Sequence, residues 1–407
     1  LDANMNGRVV MMNLIKLHRA PLCVLTCVAL SLLAGCEAEH ESEPGEQIGA
    51  DSGVNVDGFF DDGDADLDEP RSEDEGPPDT EPPAPDEPDG QVDAPPTPPS
   101  EAPLDLEADC EERMVAVPIE ASSGTLESGA GYLYAVPEDA HSLLFMFHGG
   151  GGSKEGNFEL RVESVLIARD ALERGYAVIS LDSLQHSTPG ARDLKWNESE
   201  PASNPDVANV SALIELFREE ERLVPEDAPV VAMGFSNGGS MASRVAQLPI
   251  VGAAVIYISN AQYFNEPGAR IPPTVFLPGA KDPGHAVNSN TMYMEQIDER
   301  GLIGALYINQ AEPATQGAFT KIPGVDCATS KEIIRAMIAS GWLDGEGNVL
   351  QDPKSGTGWL QGLPGEVTTT AVRSQVRDIL MELYAGHSPS AQWSGPVFDF
   401  VEAHVGD

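Results

Sequence analysis

Four short segments carry side chains that could do chemistry together. Gly234-Phe235-Ser236-Asn237-Gly238-Gly239 directly follows the apolar run Val230-Val231-Ala232-Met233 and precedes a helical pattern. A serine in a G-x-S-x-G turn between strand and helix sits on a strained backbone that presents its hydroxyl, while the flanking glycines let the two elements approach. His148-Gly149-Gly150-Gly151-Gly152-Ser153 follows a second apolar run, Leu143-Leu144-Phe145-Met146-Phe147. Glycines there leave backbone N–H groups able to face a developing oxyanion, so Gly150 and Gly151 are candidate donors, with the amide of Asn237 as the other. Phe276-Leu277-Pro278-Gly279-Ala280-Lys281-Asp282 places an acid just beyond a strand, and Tyr384-Ala385-Gly386-His387 places an imidazole before the last helical run. Ser236, Asp282 and His387 are thus candidates for nucleophile, orienting acid and base of covalent catalysis, which needs no metal and no cofactor. The competing acid is Asp182, which precedes the serine. His285 is too near Asp282 in the chain to serve easily as base, His404 lies inside the terminal helix, and His148 reads as a structural residue of the glycine loop.

These residues need a scaffold that brings distant loops to one edge. Short apolar stretches read as strands at Met114 to Ile119, Gly131 to Val136, Leu143 to Phe147, Tyr176 to Leu181, Val230 to Gly234, Ala253 to Ser259, Thr274 to Leu277 and Ile303 to Ile308. Helical patterns fall at Leu160 to Arg174, Pro205 to Leu223, Gly238 to Gln247 and Thr291 to Arg300. Alternation of this kind predicts an α/β fold with a mostly parallel eight-stranded sheet covered by helices on both faces. Residues 310–386 are too long for a plain connection and hold their own helices, Lys331 to Ser340 and Thr368 to Ala385. They read either as a cap-like insertion before the histidine or as a helical pair packed away from the site. Trp196, Tyr263 and Trp342 could line a ring- or chain-binding site, although large aromatics more often serve the core.

The four motifs, in this order, resemble the secreted polyhydroxybutyrate-depolymerase-like and feruloyl-esterase-like branch of the α/β-hydrolases. The resemblance covers residues 141–305 and 384–405. It implies the α/β-hydrolase fold and a carboxylic-ester hydrolase with Ser236 as nucleophile, His387 as base and Asp282 orienting it. The segment 310–386 is larger than that branch's usual connection to the histidine, which leaves the choice of ester open. A serine peptidase of the prolyl-oligopeptidase kind shares the Ser-Asn-Gly-Gly turn but carries a large propeller where this chain has an acidic stretch. A non-catalytic envelope binding protein would be favoured by loss of a triad member, and none is lost.

Charge and cysteines set the surroundings. The chain of 407 residues has a formal net charge of −43, and residues 37–109 hold 26 Asp or Glu, one Arg and 13 prolines. Such a stretch cannot bury a core and reads as a disordered, extended linker ahead of a domain at 110–407. Without a basic cluster, nucleic acid is excluded as a partner. The acidic run Asp61 to Asp68 lacks the glycine and spaced Glu of an EF-hand. Lys16, His18 and Arg19 followed by the 14-residue run Ala20 to Leu33 have the form of a signal-peptide core, too short to span a bilayer. Leu33-Ala34-Gly35-Cys36 resembles the lipobox of bacterial lipoproteins, which implies cleavage before Cys36, its lipidation, and a membrane-anchored protein of the cell envelope. Glu37, in place of an inner-membrane Asp signal, points to the outer membrane. Cys110 and Cys327 are the only cysteines beyond Cys36, and an even pair in an oxidising compartment suggests a disulfide, the alternative being two separate thiols. Nothing in the sequence fixes an oligomeric state.

Overall fold

The computed structural model describes residues 103–405 apart from 189, 192, 193, 285 and 368. The signal segment, Cys36, the acidic stretch to residue 102 and His285 lie outside the described residues. Among the described residues eight strands form: β1 (Ser122–Thr125), β2 (Gly131–Ala135), β3 (Ser142–Phe147), β4 (Tyr176–Leu181), β5 (Val230–Phe235), β6 (Val251–Tyr257), β7 (Thr274–Leu277) and β8 (Gly304–Leu306). They make one sheet in the order β1-β2-β4-β3-β5-β6-β7-β8. β2 pairs antiparallel with both β1 and β4, and every later pair is parallel. β3 to β7 are almost wholly buried, as continuous apolar runs in the middle of a doubly covered sheet should be.

Because successive side chains point to opposite faces, each strand feeds two cores. Leu143, Phe145, Phe147, Ala232 and Ile256 pack on α2 (Pro205–Glu215), α3 (Asn237–Val245) and α4 (Ala286–Glu299). Leu144, Met146, Val231, Met233 and Val255 pack on α1 (Val162–Glu173) and α7 (Ser394–His404). A third core belongs to the insertion, where α5 (Cys327–Ala339) and α6 (Thr370–Tyr384) close around Phe319, Ile333, Trp342 and Ile379 and rest on Val162, Val165 and Leu166 of α1.

Three sequence expectations need correction. Met114 to Ile119 is not a strand. Met114, Val115 and Val117 are exposed, and the Ala116 and Ile119 amides donate to Lys321 O and Phe158 O rather than to the sheet. The edge strand is instead the polar Ser122–Thr125, paired with β2. Residues 104–109, assigned to the linker, are held against the insertion. Leu104 N–H donates to Gly345 O at 2.9 Å, Lys331 Nζ donates to Ala108 O at 2.7 Å and Arg335 pairs with Glu107 at 2.9 Å. The helix expected at Pro205 to Leu223 ends at Glu215 and widens into a π-turn at Leu216–Glu220. Cys110 and Cys327 are joined as a disulfide, with an S–S distance of 2.08 Å.

Candidate active site

Ser236 sits between β5 and α3 with φ 55° and ψ −122°. An L-residue in that region stores roughly 1–3 kcal/mol of strain, tolerated only where the surroundings over-determine it. Here they do: Ser236 N–H donates to Tyr257 O on the neighbouring strand at 3.0 Å, and helix α3 begins at the next residue. The turn is closed to side chains on both flanks. A Cβ at Gly234 would run into the Gly238 carbonyl, and one at Gly238 into the carbonyls of Phe147 and His148. The same close approach lays the glycine loop beside the serine, since a methyl on Gly149 would lie 3.4 Å from Ser236 Cβ and one on Gly150 3.9 Å from Asn237 Cβ. Gly149 and Gly150 therefore lie on the same side of the Ser236 turn as Asn237. Trp196 fixes that side, its main-chain N–H donating to Asn237 Oδ1 at 2.9 Å and its indole to His148 O at 2.8 Å.

His387 arrives on the last helix of the insertion. α6 ends in a left-handed residue, Ala385 (φ 57°), whose N–H returns to Glu382 O, and Gly386 N–H returns to Met381 O. This closure turns the chain toward the loop after β7, where Lys281 N–H donates to Ala385 O at 2.9 Å. The two loops thereby bring Asp282 to His387. His387 Nδ1 lies 3.1 and 3.0 Å from the Asp282 carboxylate oxygens, and Nε2 lies 2.7 Å from Ser236 Oγ. With Nδ1–H donating to the carboxylate, Nε2 presents its lone pair to the serine hydroxyl. Burial pushes the Asp282 carboxyl up, but the hydrogen bond and charge of His387, the Gly284 N–H and Lys354 outweigh it and hold it below the ordinary carboxylate range. Asp182 is engaged elsewhere, accepting from Lys154 N at 2.8 Å and Lys154 Nζ at 2.7 Å. His404 stacks edge-on with Phe400 in α7. His148 is buried and held neutral, its pKa driven to about 3 by loss of solvation and then by the nearby His186.

The alpha/beta hydrolase family profile matches residues 143–399, from β3 into α7. The chain belongs to the alpha/beta hydrolase family. Comparison with curated proteins gives no match. Among solved structures, this hydrolase is similar to Thermogutta terrifontis esterase 2 phosphorylated by paraoxon, with 16% identity over 55% of this chain and 95% of that one, TM-score 0.35. It is also similar to the Francisella virulence factor BioJ (13% identity, 51% and 78% of the chains, TM-score 0.35) and to the Pyrococcus horikoshii acylaminoacyl peptidase (14%, 47% and 37%, TM-score 0.37).

Two hollows open on Ser236 in the hydrolase. One of about 190 Å³ is lined by Phe235, Ile258, Leu160 and Pro389, together with Ala371 of α6. The other, about 350 Å³, is polar and lined by Gly150, Lys195, Asp282 and the insertion residues Asp352, Lys354 and Ser355. Both readings of 310–386 therefore hold in part: its body packs on α1, while a loop and the start of α6 wall the cleft. Trp196, Tyr263 and Trp342 are core residues, buried respectively on Phe147, under the Arg244 guanidinium and within the insertion.

Sequence reasoning missed the group that steadies the hydrolase's histidine loop. Glu163 of α1 and Glu382 of α6 share Lys321, whose Nζ lies 2.8 and 3.5 Å from their carboxylates. The same carboxylates accept from Ala391 N at 2.8 Å and Ser390 Oγ at 3.0 Å, just past His387. The available signal was an acid on the apolar face of each helix, Glu163 between Val162 and Val165 and Glu382 between Ile379 and Leu383.

Proposed function

We propose that this protein is an exported serine hydrolase that cleaves carboxylic esters through an acyl-enzyme, with polyester- or feruloyl-ester-type substrates. The reading rests on one observation, the continuous contact from Ser236 Oγ through His387 to Asp282. As Oγ bonds to the ester carbonyl carbon, its proton passes to His387 Nε2 and the C=O π electrons move to oxygen. The amides of Asn237 and of Gly150 or Gly151 then stabilise that oxyanion. Collapse expels the alcohol, protonated by His387, and water attacks the acyl-enzyme by the same route in reverse order. Asp282 stays ionised throughout, which its lowered carboxyl pKa supports. The apolar hollow beside Phe235 and Ile258 suits an acyl chain or ring, and the polar one suits the more hydrophilic part of the ester.

Rates across p-nitrophenyl acyl esters, feruloyl esters, polyhydroxybutyrate and a chromogenic peptide test the substrate class. Ester turnover with fluorophosphonate labelling confined to Ser236 is expected; peptide turnover without ester turnover overturns the ester reading. Anchoring is a separate proposal from the lipobox alone. Palmitate incorporation should vanish in Cys36→Ser, and its persistence there refutes the anchor.

A further inference from the structure

β3 and β4 are parallel neighbours in register, Phe147 opposite Leu181, so the next residue of each, His148 and Asp182, emerges at the same sheet edge. One short 3-10 turn later, at Leu184–Ser187, the chain offers a second imidazole, His186. One ligand atom from each of the three residues lies within 4.8 Å of the others, and His186 Nε2 is 3.9 Å from Asp182 Oδ1. The remaining ring nitrogens are already committed. His148 Nδ1 donates to Gly149 O at 2.7 Å, and His186 Nδ1 is 3.2 Å from Ser183 Oγ. The ring nitrogens left over are the two Nε2 atoms, and that of His186 faces the carboxylate. Fixing a ring by its other nitrogen is how proteins prepare a histidine for a metal.

What meets those two nitrogens is meagre. His186 Nε2 is buried without a hydrogen-bond partner, a costly condition for a polar atom. His148 Nε2 has one long contact, from Ser183 N–H at 3.4 Å. Asp182 is held in place by Lys154, whose backbone N–H takes Oδ1 and whose ammonium takes Oδ2, leaving a lone pair of Oδ1 on the His186 side. Glu155 and Arg161 act electrostatically on His148, and Asp206 on His186. With Asp182 and Lys154 included, three carboxylates and two cations surround the cluster, and burial keeps the His148 imidazole neutral, the form that binds a metal.

We propose that His148, Asp182 and His186 form a zinc site. Two imidazoles and one carboxylate are the donor set of a three-ligand zinc centre, with a water in the fourth place. Metal–ligand distances of about 2.0–2.1 Å put ligand atoms about 3.3 Å apart in a tetrahedron, so the site closes by a movement of about 1.5 Å or less. His186, on a short turn with its side chain 17% exposed, provides both that movement and the entry path. The metal would pin His148, the residue that leads into Gly149–Gly152, and the assignment does not depend on the ester reading.

The test is zinc uptake by the full chain. After chelation and dialysis, zinc chloride should bind at one ion per chain, measured by metal analysis and calorimetry, and should raise Tm. His186→Ala should weaken binding by more than about tenfold, since the loss of even an outer partner of a ligand costs about 10–100-fold in metal affinity. His387→Ala should leave binding unchanged. Absence of stoichiometric binding overturns the proposal, as does binding that survives His186→Ala or disappears in His387→Ala. Should His186→Ala fail to fold, cobalt(II) bound to the native protein decides: the intense visible bands of tetrahedral cobalt support the site, and the weak spectrum of an octahedral ion refutes it.

Discussion

The sheet and the insertion bury their interiors by different means. Between β3 and β7 the interior is almost purely apolar, and Ser236 is placed by backbone: a strained φ, a strand-to-strand hydrogen bond and carbonyls that forbid side chains at Gly234 and Gly238. The insertion has an apolar core too, but where it meets α1 it buries Glu163, Asp378 and Glu382 beside the half-buried Lys321. Its contribution to the site, His387, is steadied through those charges. One half of the triad therefore rests on covalent geometry and packing, which respond little to pH, and the other half rests on ionisation.

The sharpest break of that contrast is on the sheet side. Ser236→Ala should reduce ester kcat/KM by at least about 1000-fold with little change in Tm, since only binding and oxyanion contributions remain. Retained turnover would show that the strained turn does no chemistry.

On the insertion side, Lys321→Met leaves two buried carboxylates without their shared cation. Removing one partner of a buried pair costs about 3–5 kcal/mol, so the urea midpoint should fall, and fall further as pH rises and Glu382 must ionise beside Glu163. A midpoint equal to wild type would mean that the charges only decorate the interface.

Reduction of Cys110–Cys327, or the double Ser variant, should cost about 2–4 kcal/mol while ester turnover at low temperature persists, because the bridge lies in neither wall of the cleft. Loss of turnover at a temperature where the fold is intact would join the two regions more tightly than the contrast allows.

The smallest effect concerns protons. Burial raises Asp378 to about 6, and burial with Glu163 nearby raises Glu382 to about 7. Each folded carboxyl holds a proton that the unfolded chain has released, so its stabilisation is complete below the ordinary carboxylate range and is lost as pH climbs through the folded value. Asp282, lowered instead, works in the opposite sense and only at more acid pH. Tm should thus decline between about pH 4 and about pH 7, and Asp378→Asn should recover on the order of 2 kcal/mol at the upper end. An unchanged slope in Asp378→Asn would remove this carboxyl from the account.

What could be read in the sequence follows the same division. Strands β3 to β7 announce themselves because burial on both faces demands unbroken apolar runs, and Ser236, Asp282 and His387 stand at loop positions that chain order and local motif suggest. The run Met114 to Ile119 misled because its apolar side chains suit a strand, while the hydrogen bonds that decide the matter come from Lys321 and Phe158, far along the chain. No local pattern showed where 310–386 would pack, or that Lys321 would meet Glu163 from 158 positions away. The cluster of His148, Asp182 and His186 was equally hidden, because it depends on the register of β3 against β4.

Seen as mechanics, the disulfide is a load path. Any pull on the chain before Cys110 reaches a covalent junction with Cys327, the first residue of α5, before it can reach Ser122–Thr125, a four-residue edge strand with one partner. Peeling a sheet from its edge breaks hydrogen bonds one at a time, whereas the junction spreads the force into the helical body of the insertion. A protein tethered by its N-terminal side would bear tension without unzipping the sheet that holds its serine.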